Sequence, residues 1–260
     1  MSQSELVLRE DGNGVAYLTL NRPEAYNALS MACMNALTQQ LRAVAEDKSI
    51  KAVVLKGSGK GFCAGHDLKE MKANGGEAFY QQTFATCANL MQAVQSIPQP
   101  VIAQVHGIAT AAGCQLVASC DLAYAADNAR FATPGVNIGL FCSTPMVALT
   151  RAVHRKHAME MLLTGDMVQA EQAQEMGLIN AALPEAELVD KVVQVAETIA
   201  SKSSYTLKVG KEAFYKQAEM TQAEAYEYCS WVMTENMLAH DAQEGVDAFL
   251  NKRTPCWQGR

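Results

Sequence analysis

An α/β fold of stacked strand–strand–helix turns, closed by a helical C-terminal region, is predicted by three features of the sequence. Short apolar or β-branched strands alternate with helix-spaced apolar runs through the first two-thirds of the chain, Gly-rich loops follow two of those strands, and from Glu185 onward nearly every segment has helical spacing. The expected organisation is a core over residues 1–184 and a helical subdomain over residues 185–260. No low-complexity segment, long linker or fixed-period repeat interrupts it.

Each element follows from local chemistry. ELVLRE and GVAYLTL flank DGNG, whose Asp-Gly and Asn-Gly pairs favour the positive φ of a hairpin turn. After LNRPEAYNALS a helical run reaches about Asp47, and the strand KAVVLKG then feeds the loop SGKGFCAGHD. Phe79, Phe84, Cys87, Leu90, Met91 and Val94 recur at helical spacing, and Pro98 and Pro100 close that helix before the strand VIAQVHG. LAYAADNARFATP contains two short extended segments around Asp127-Asn128. STPMVALTRAV, HAMEMLLTG and AEQAQEMG are short helices, the last two ended by Gly165 and Gly177. ELVDKVVQVAETIASK, YTLKVGKEAFYKQ and one long run from Gln222 to about His240 complete the helical region.

Composition narrows the function classes. With 49% hydrophobic and 18% charged residues the chain has the balance of a globular enzyme, and a formal net charge of −6 argues against a general nucleic-acid or acidic-membrane binder. Its eight cysteines never form a C-x-x-C pair, which points to a reducing compartment rather than to zinc or a disulfide framework. MSQSELVLRED carries neither a secretory nor a mitochondrial address, so a cytoplasmic location is expected, a removed mitochondrial presequence leaving the same chain. No apolar run approaches the ~20 residues that span a bilayer.

Two loops carry the candidate chemistry: GKGFCAGHDLKEM (Gly59 to Met71) and HGIATAAGCQL (His106 to Leu116). Both follow a hydrophobic strand and lead into a helix, and both are rich in small residues. Small residues permit close backbone approach, and a helix start leaves N–H groups without internal partners. One N–H from each loop is enough to hold a carbonyl oxygen that becomes negative during reaction.

The same loops carry a resemblance. CAGHDLKEM is similar to the A-G-x-D-[LI]-x-E-[ML] segment of the enoyl-CoA hydratase/isomerase (crotonase) superfamily, LNRPEAYNALS to its early L-N-R-P-x-x-x-N-A-L segment, and PQPVIAQVHGIATAAGCQLVASCDLAYA to its central segment. AMEMLLTGDMVQAEQAQEMGLIN resembles the helical segment that follows, and the likeness runs to QEGVDAFLNKR. It implies a spiral of ββα units with helices used for trimerisation, as a homotrimer or a dimer of trimers. The implied ligand is an acyl-CoA thioester, with coenzyme A entering as part of the substrate and no separate cofactor, metal, nucleic acid or membrane partner. By alignment the oxyanion donors are the backbone N–H groups of His66 and Ala112, where the family often has Gly at the second position. Ala64, His66, Asp67, Leu68, Lys69 and Ala112 would line the substrate, Ala64 near the adenine end, with Arg22, Lys56, Lys60, Lys69 and Lys72 supplying charge for the coenzyme A phosphates. At His66 the N–H, rather than the imidazole, is the expected working group.

The chain departs from the family at one decisive pair. Hydratases of the family place two glutamates beside the thioester, and the matching positions here are Gln115 and Gly135. A Gln amide orients water but does not take its proton near neutral pH, and glycine offers no side chain. Efficient hydration by the two-carboxylate route is therefore not expected. Cys142 and Ser143 are candidates for the acyl pocket, although Ser143-Thr144-Pro145 is explained as a helix N-cap, the preferred reading. Two functions remain open: an enzyme of weak hydratase, isomerase, decarboxylase or thioesterase type, and a non-catalytic acyl-CoA-binding protein.

Overall fold

The computed structural model describes residues 6–260, so residues 1–5, which begin the first expected strand and the segment read for an address, lie outside it. β1 (Val7–Gly12) and β2 (Val15–Leu20) form the expected antiparallel hairpin, and Asn13 and Gly14 take φ 53° and 77° at its turn. Next come α1 (Met31–Glu46), β3 (Ala52–Gly57), α2 (Leu68–Ala73), α3 (Glu77–Ser96), β4 (Val101–Val105), β5 (Ile108–Thr110) and α4 (Ala112–Ser119). β6 (Leu122–Ala126), β7 (Arg130–Ala132), a 3-10 turn (Pro134–Ile138), α5 (Ser143–Ala152), α6 (Arg155–Thr164), β8 (Val168–Gln169), α7 (Ala170–Glu175) and β9 (Ala181–Leu183) follow. The chain closes with α8 (Glu185–Ala200), α9 (Ser204–Gln217), α10 (Gln222–Leu238) and α11 (His240–Leu250).

The strands build two sheets whose alternation produces the stacked turns. The larger has the order β1-β2-β3-β4-β6-β9 and is parallel after its first pair; the smaller has the order β5-β7-β8. β4 and β5, and then β6 and β7, each give one strand to the large sheet and one to the small. Crossing from one sheet to the other brings the loop after β3 against the loop after β5.

Both faces of the large sheet are covered, which accounts for strands that read as almost continuous apolar runs. Val53, Leu55, Val101, Ala103 and Val105 face the core shared with α1 and α3, whereas Ala52, Val54 and Ile102 face Leu188, Val192 and Ala196 of α8. The helical region is tied to the sheet by one buried polar cluster. Lys211 of α9 donates to the carbonyls of Val94 and Gln99 at 2.9 Å each and pairs with Asp121 at 2.7 Å, while Tyr215 donates its hydroxyl to Asp121 at 2.8 Å.

The helix expected from Gln222 to about His240 is α10, and a further helix, α11, starts after Ala239, which is extended at φ −67°, ψ 149°. The break permits Asp241, buried at the start of α11, to accept N–H bonds from Gln258 and Gly259 and the Ser203 hydroxyl, which holds the C-terminal tail against the body. None of the described helices is long and apolar enough to cross a membrane.

Candidate active site

The two Gly-rich loops interlock. Cys63 pairs with Ala109, the N–H groups of Cys63 and Thr110 bond across the seam at 3.1 and 2.9 Å, and the Leu29 and Asp67 N–H groups fix the first loop to the segment before α1. At Gly113, in the first turn of α4, a β-carbon would collide with the Cys63 carbonyl, so only glycine lets the helix start approach the first loop this closely.

The bridge between Leu29 and His66 uses the Gly65 carbonyl and the Asp67 N–H. The His66 N–H is left pointing the other way, with no backbone acceptor among the described residues. Ala112 is the first residue of α4, where an N–H has no partner within the helix. Ala112 itself lies in the helix, and the unusual backbone falls on Ala111, which takes φ 50°, ψ −118° while its own N–H bonds the Ala132 carbonyl at 2.8 Å. That strained turn reorients the 111–112 peptide, a cost of order 1–3 kcal/mol that surrounding structure must hold in place.

Both residues open on a cavity of about 490 Å³ whose walls are mostly apolar. Ala64, His66, Leu68, Ala112, Gly135, Cys142 and Ser143, all singled out from the sequence, lie on its wall, and Met71, Phe84, Asn137, Leu140 and Phe141 complete much of it. Asn137, in the 3-10 turn, is a polar candidate of the sequence as well, whereas Met71, Phe84, Leu140 and Phe141 come from α2, α3 and the loop before α5, which only the folded chain brings together. Among the described residues, no Asp, Glu, Lys or Arg side chain lines this cavity.

The remaining sequence candidates lie elsewhere. Asp67 caps α2 by accepting the N–H groups of Lys69 and Glu70 and pairs with Arg22 at 2.9 Å. Arg22 is therefore engaged inside the protein, where it also donates to the Ala28 carbonyl. Lys69 is exposed, and Lys56 lies over the Tyr17 ring at 5.6 Å. Gln115 is buried and off the cavity wall, with its amide oxygen facing the Cys87 thiol at 3.8 Å. Gly135 is boxed in: a β-carbon there would meet the Leu140 carbonyl and come within 2.8 Å of Cys142 Sγ.

The preferred reading of Ser143-Thr144-Pro145 as an N-cap is corrected. Cys142 occupies the cap position of α5 without a side-chain bond, and Ser143 and Thr144 sit inside the first turn on the cavity wall. Burial pushes the Cys142 thiol above its ordinary range, so it is held protonated. Burial also lowers the His66 imidazole to about 4, which keeps the ring neutral. The ring packs edge-on against Phe84 at 5.6 Å, and its Nε2 is buried with no hydrogen-bond partner.

Comparison with known proteins places this arrangement among relatives. The family model described as enoyl-CoA hydratase/isomerase matches residues 10–260. The mitochondrial enoyl-CoA hydratase domain-containing protein 3 of Homo sapiens is 45% identical over 245 residues, covering 94% of this chain and 81% of that protein. The Rattus norvegicus protein of the same name is 43% identical over 256 residues, covering 98% of this chain and 85% of that protein. Among solved structures, an enoyl-CoA hydratase of Mycobacterium smegmatis superposes with TM-score 0.95 at 51% identity, covering 97% of this chain and 98% of that one. The human domain-containing protein 3 superposes with TM-score 0.94 at 44% identity, covering 97% and 100%.

Proposed function

The chain belongs to the enoyl-CoA hydratase/isomerase family, and from that premise we propose that it is an enzyme acting on acyl-CoA thioesters, with the acyl group in the cavity beside His66 and Ala112. The observation that carries this reading is that His66 and Ala112, one from each interlocked loop, lie on the wall of one apolar cavity with no backbone acceptor for either N–H among the described residues. A thioester oxygen held between them gains stabilisation as negative charge builds on it, and removing one such donor typically costs ~10²- to 10³-fold in rate. The coenzyme A portion runs past Ala64, Asp67, Leu68 and Lys69.

Hydration by two carboxylates is not the reaction. Gln115 faces Cys87, Gly135 has no room for a side chain, and no carboxylate of the described residues lines the cavity. Isomerisation, decarboxylation or thioester hydrolysis each use the same oxyanion stabilisation without that pair. The absence of a wall carboxylate equally favours the second reading, an acyl-CoA-binding protein without turnover. A homotrimer is supported by Phe214, Trp231, Met233, Leu238, Phe249 and Leu250, large apolar side chains left exposed on α9 to α11. A reducing compartment is supported by eight free cysteines; the two domain-containing relatives bear mitochondrial names, so cytoplasm and mitochondrial matrix both fit.

Calorimetric titration with crotonyl-CoA, paired with a hydration assay that follows loss of the enoyl thioester absorbance, tests this reading. The expected result is saturable binding with hydration at least ~10²-fold below a two-carboxylate hydratase measured alongside. Absence of binding, or hydration at the reference rate, would overturn it.

A further inference from the structure

One side chain on the cavity wall, His66, carries an uncharged nitrogen base. Asn137, Ser143 and Thr144 are not bases, Cys142 is a protonated thiol, and the remaining wall residues other than His66 are apolar or glycine. His66 differs from all of them. Its ring lies on the wall, is packed edge-on against Phe84 at 5.6 Å, and carries a buried Nε2 that no protein group satisfies. A buried polar atom left without a partner costs about 1–3 kcal/mol, and among the described residues no hydrogen bond engages either ring nitrogen of His66, which leaves the lone pair of this wall residue unused by the protein.

We propose that the His66 imidazole is the general base of this site, removing a proton from the α-carbon of a bound acyl-CoA whose thioester oxygen is held by the His66 and Ala112 N–H groups. The assignment rests on the acyl-CoA reading of the cavity. In the step, the Cα–H bond breaks and its electron pair becomes the Cα=C bond of an enolate, with negative charge on the thioester oxygen. The proton moves to the imidazole, and its return to Cα regenerates the acyl-CoA with no oxidant or co-reactant required.

A neutral base suits this cavity better than the glutamates of the family. A carboxylate in an apolar cavity is a charge to be kept desolvated before any substrate arrives. An uncharged imidazole creates its positive charge only as the enolate creates a negative one, so the two charges appear as a pair in a region of low dielectric, where their attraction is strong. One residue then supplies an N–H to the oxyanion and a base to the carbon next to it.

The test is α-proton exchange. Butyryl-CoA in D2O is followed by NMR for loss of its α-CH2 signal, with the intact protein, His66→Gln and His66→Asn; both variants keep the backbone N–H, and calorimetry measures binding of the same ligand to each. The expected result is exchange catalysed by the native protein and at least ~100-fold slower in the variants, with binding retained. If one variant fails to fold, the other decides. Undiminished exchange in a variant that binds would overturn the proposal, as would a native protein that binds butyryl-CoA without exchanging it. Failure of the native protein to bind would instead overturn the acyl-CoA reading, and this assignment with it.

Discussion

Cys142 stands where a side chain at Gly135 would go. A β-carbon built on Gly135 would lie 2.8 Å from the Cys142 sulfur and would collide with the Leu140 carbonyl, while the Leu140 N–H closes the turn onto the Gly135 carbonyl at 2.9 Å. The position that the family resemblance assigns to the second carboxylate is thus filled by the loop before α5, and placing a side chain there requires moving backbone as well as changing a residue.

Gly135→Ala is expected to destabilise the protein by about 1–3 kcal/mol through overpacking, and Gly135→Glu by at least as much. Adding Cys142→Ala to Gly135→Ala recovers only part of this, since the Leu140 carbonyl stays. Urea midpoints of the three proteins check the ordering; a Gly135→Ala variant of native stability would show that the loop yields freely. In the Gln115→Glu, Gly135→Glu double variant, hydratase activity rises only where the displaced loop refolds, so the gain is partial.

His66 makes stability fall on acidification. Burial depresses its native pKa to about 4, against about 6.5 for an unperturbed histidine, so the unfolded chain takes up a proton in a range where the native ring refuses it. The contribution of the neutral ring is complete above pH 6.5 and is lost as pH falls toward 4, by roughly 3 kcal/mol at most. Denaturant unfolding at pH 7 and pH 4.5 should show a larger loss for the native protein than for His66→Gln. Equal losses would mean that the ring is not buried in the neutral form.

Lys211 anchors the helical region, and Lys211→Met should cost about 3–5 kcal/mol because it removes the charge paired with the Asp121 carboxylate, leaving it only the Tyr215 hydroxyl and the Val101 N–H, and takes one donor from two buried carbonyls. Chemical denaturation measures the loss. A cost below ~1 kcal/mol would show the cluster to be dispensable.

Replacement of Phe249 and Leu250 by Asp tests the exposed apolar surface of α11, where these side chains are 82% and 72% exposed. Light scattering of the native protein is expected to give a trimer or a multiple of it, and the double variant a lower mass. A native monomer would contradict the assembly proposed.

The hairpin, the paired loops and part of the cavity wall are legible in the sequence because local chemistry announces them. Asn13-Gly14 signals a turn, VVL and VIAQV signal buried strands, and the small residues around Gly113 signal close approach. What stayed hidden depends on contacts between distant segments. Nothing about an alanine announces the positive φ of Ala111, and nothing in Gln115 reveals that it faces Cys87. The cap chemistry of Ser143 was real as a propensity but was overridden, since the loop from Gly135 places Cys142 at the cap. β8 and β9 were unread because two or three residues carry no alternation to detect.

The central claim, that a thioester carbonyl sits between the His66 and Ala112 N–H groups, is tested most directly by isotope-edited infrared spectroscopy of crotonyl-CoA labelled with 13C at the thioester carbonyl. Two N–H donors polarise the bond, so the account predicts a carbonyl stretch shifted to lower frequency on binding. A bound ligand whose carbonyl stretch stays at its solution frequency would contradict it.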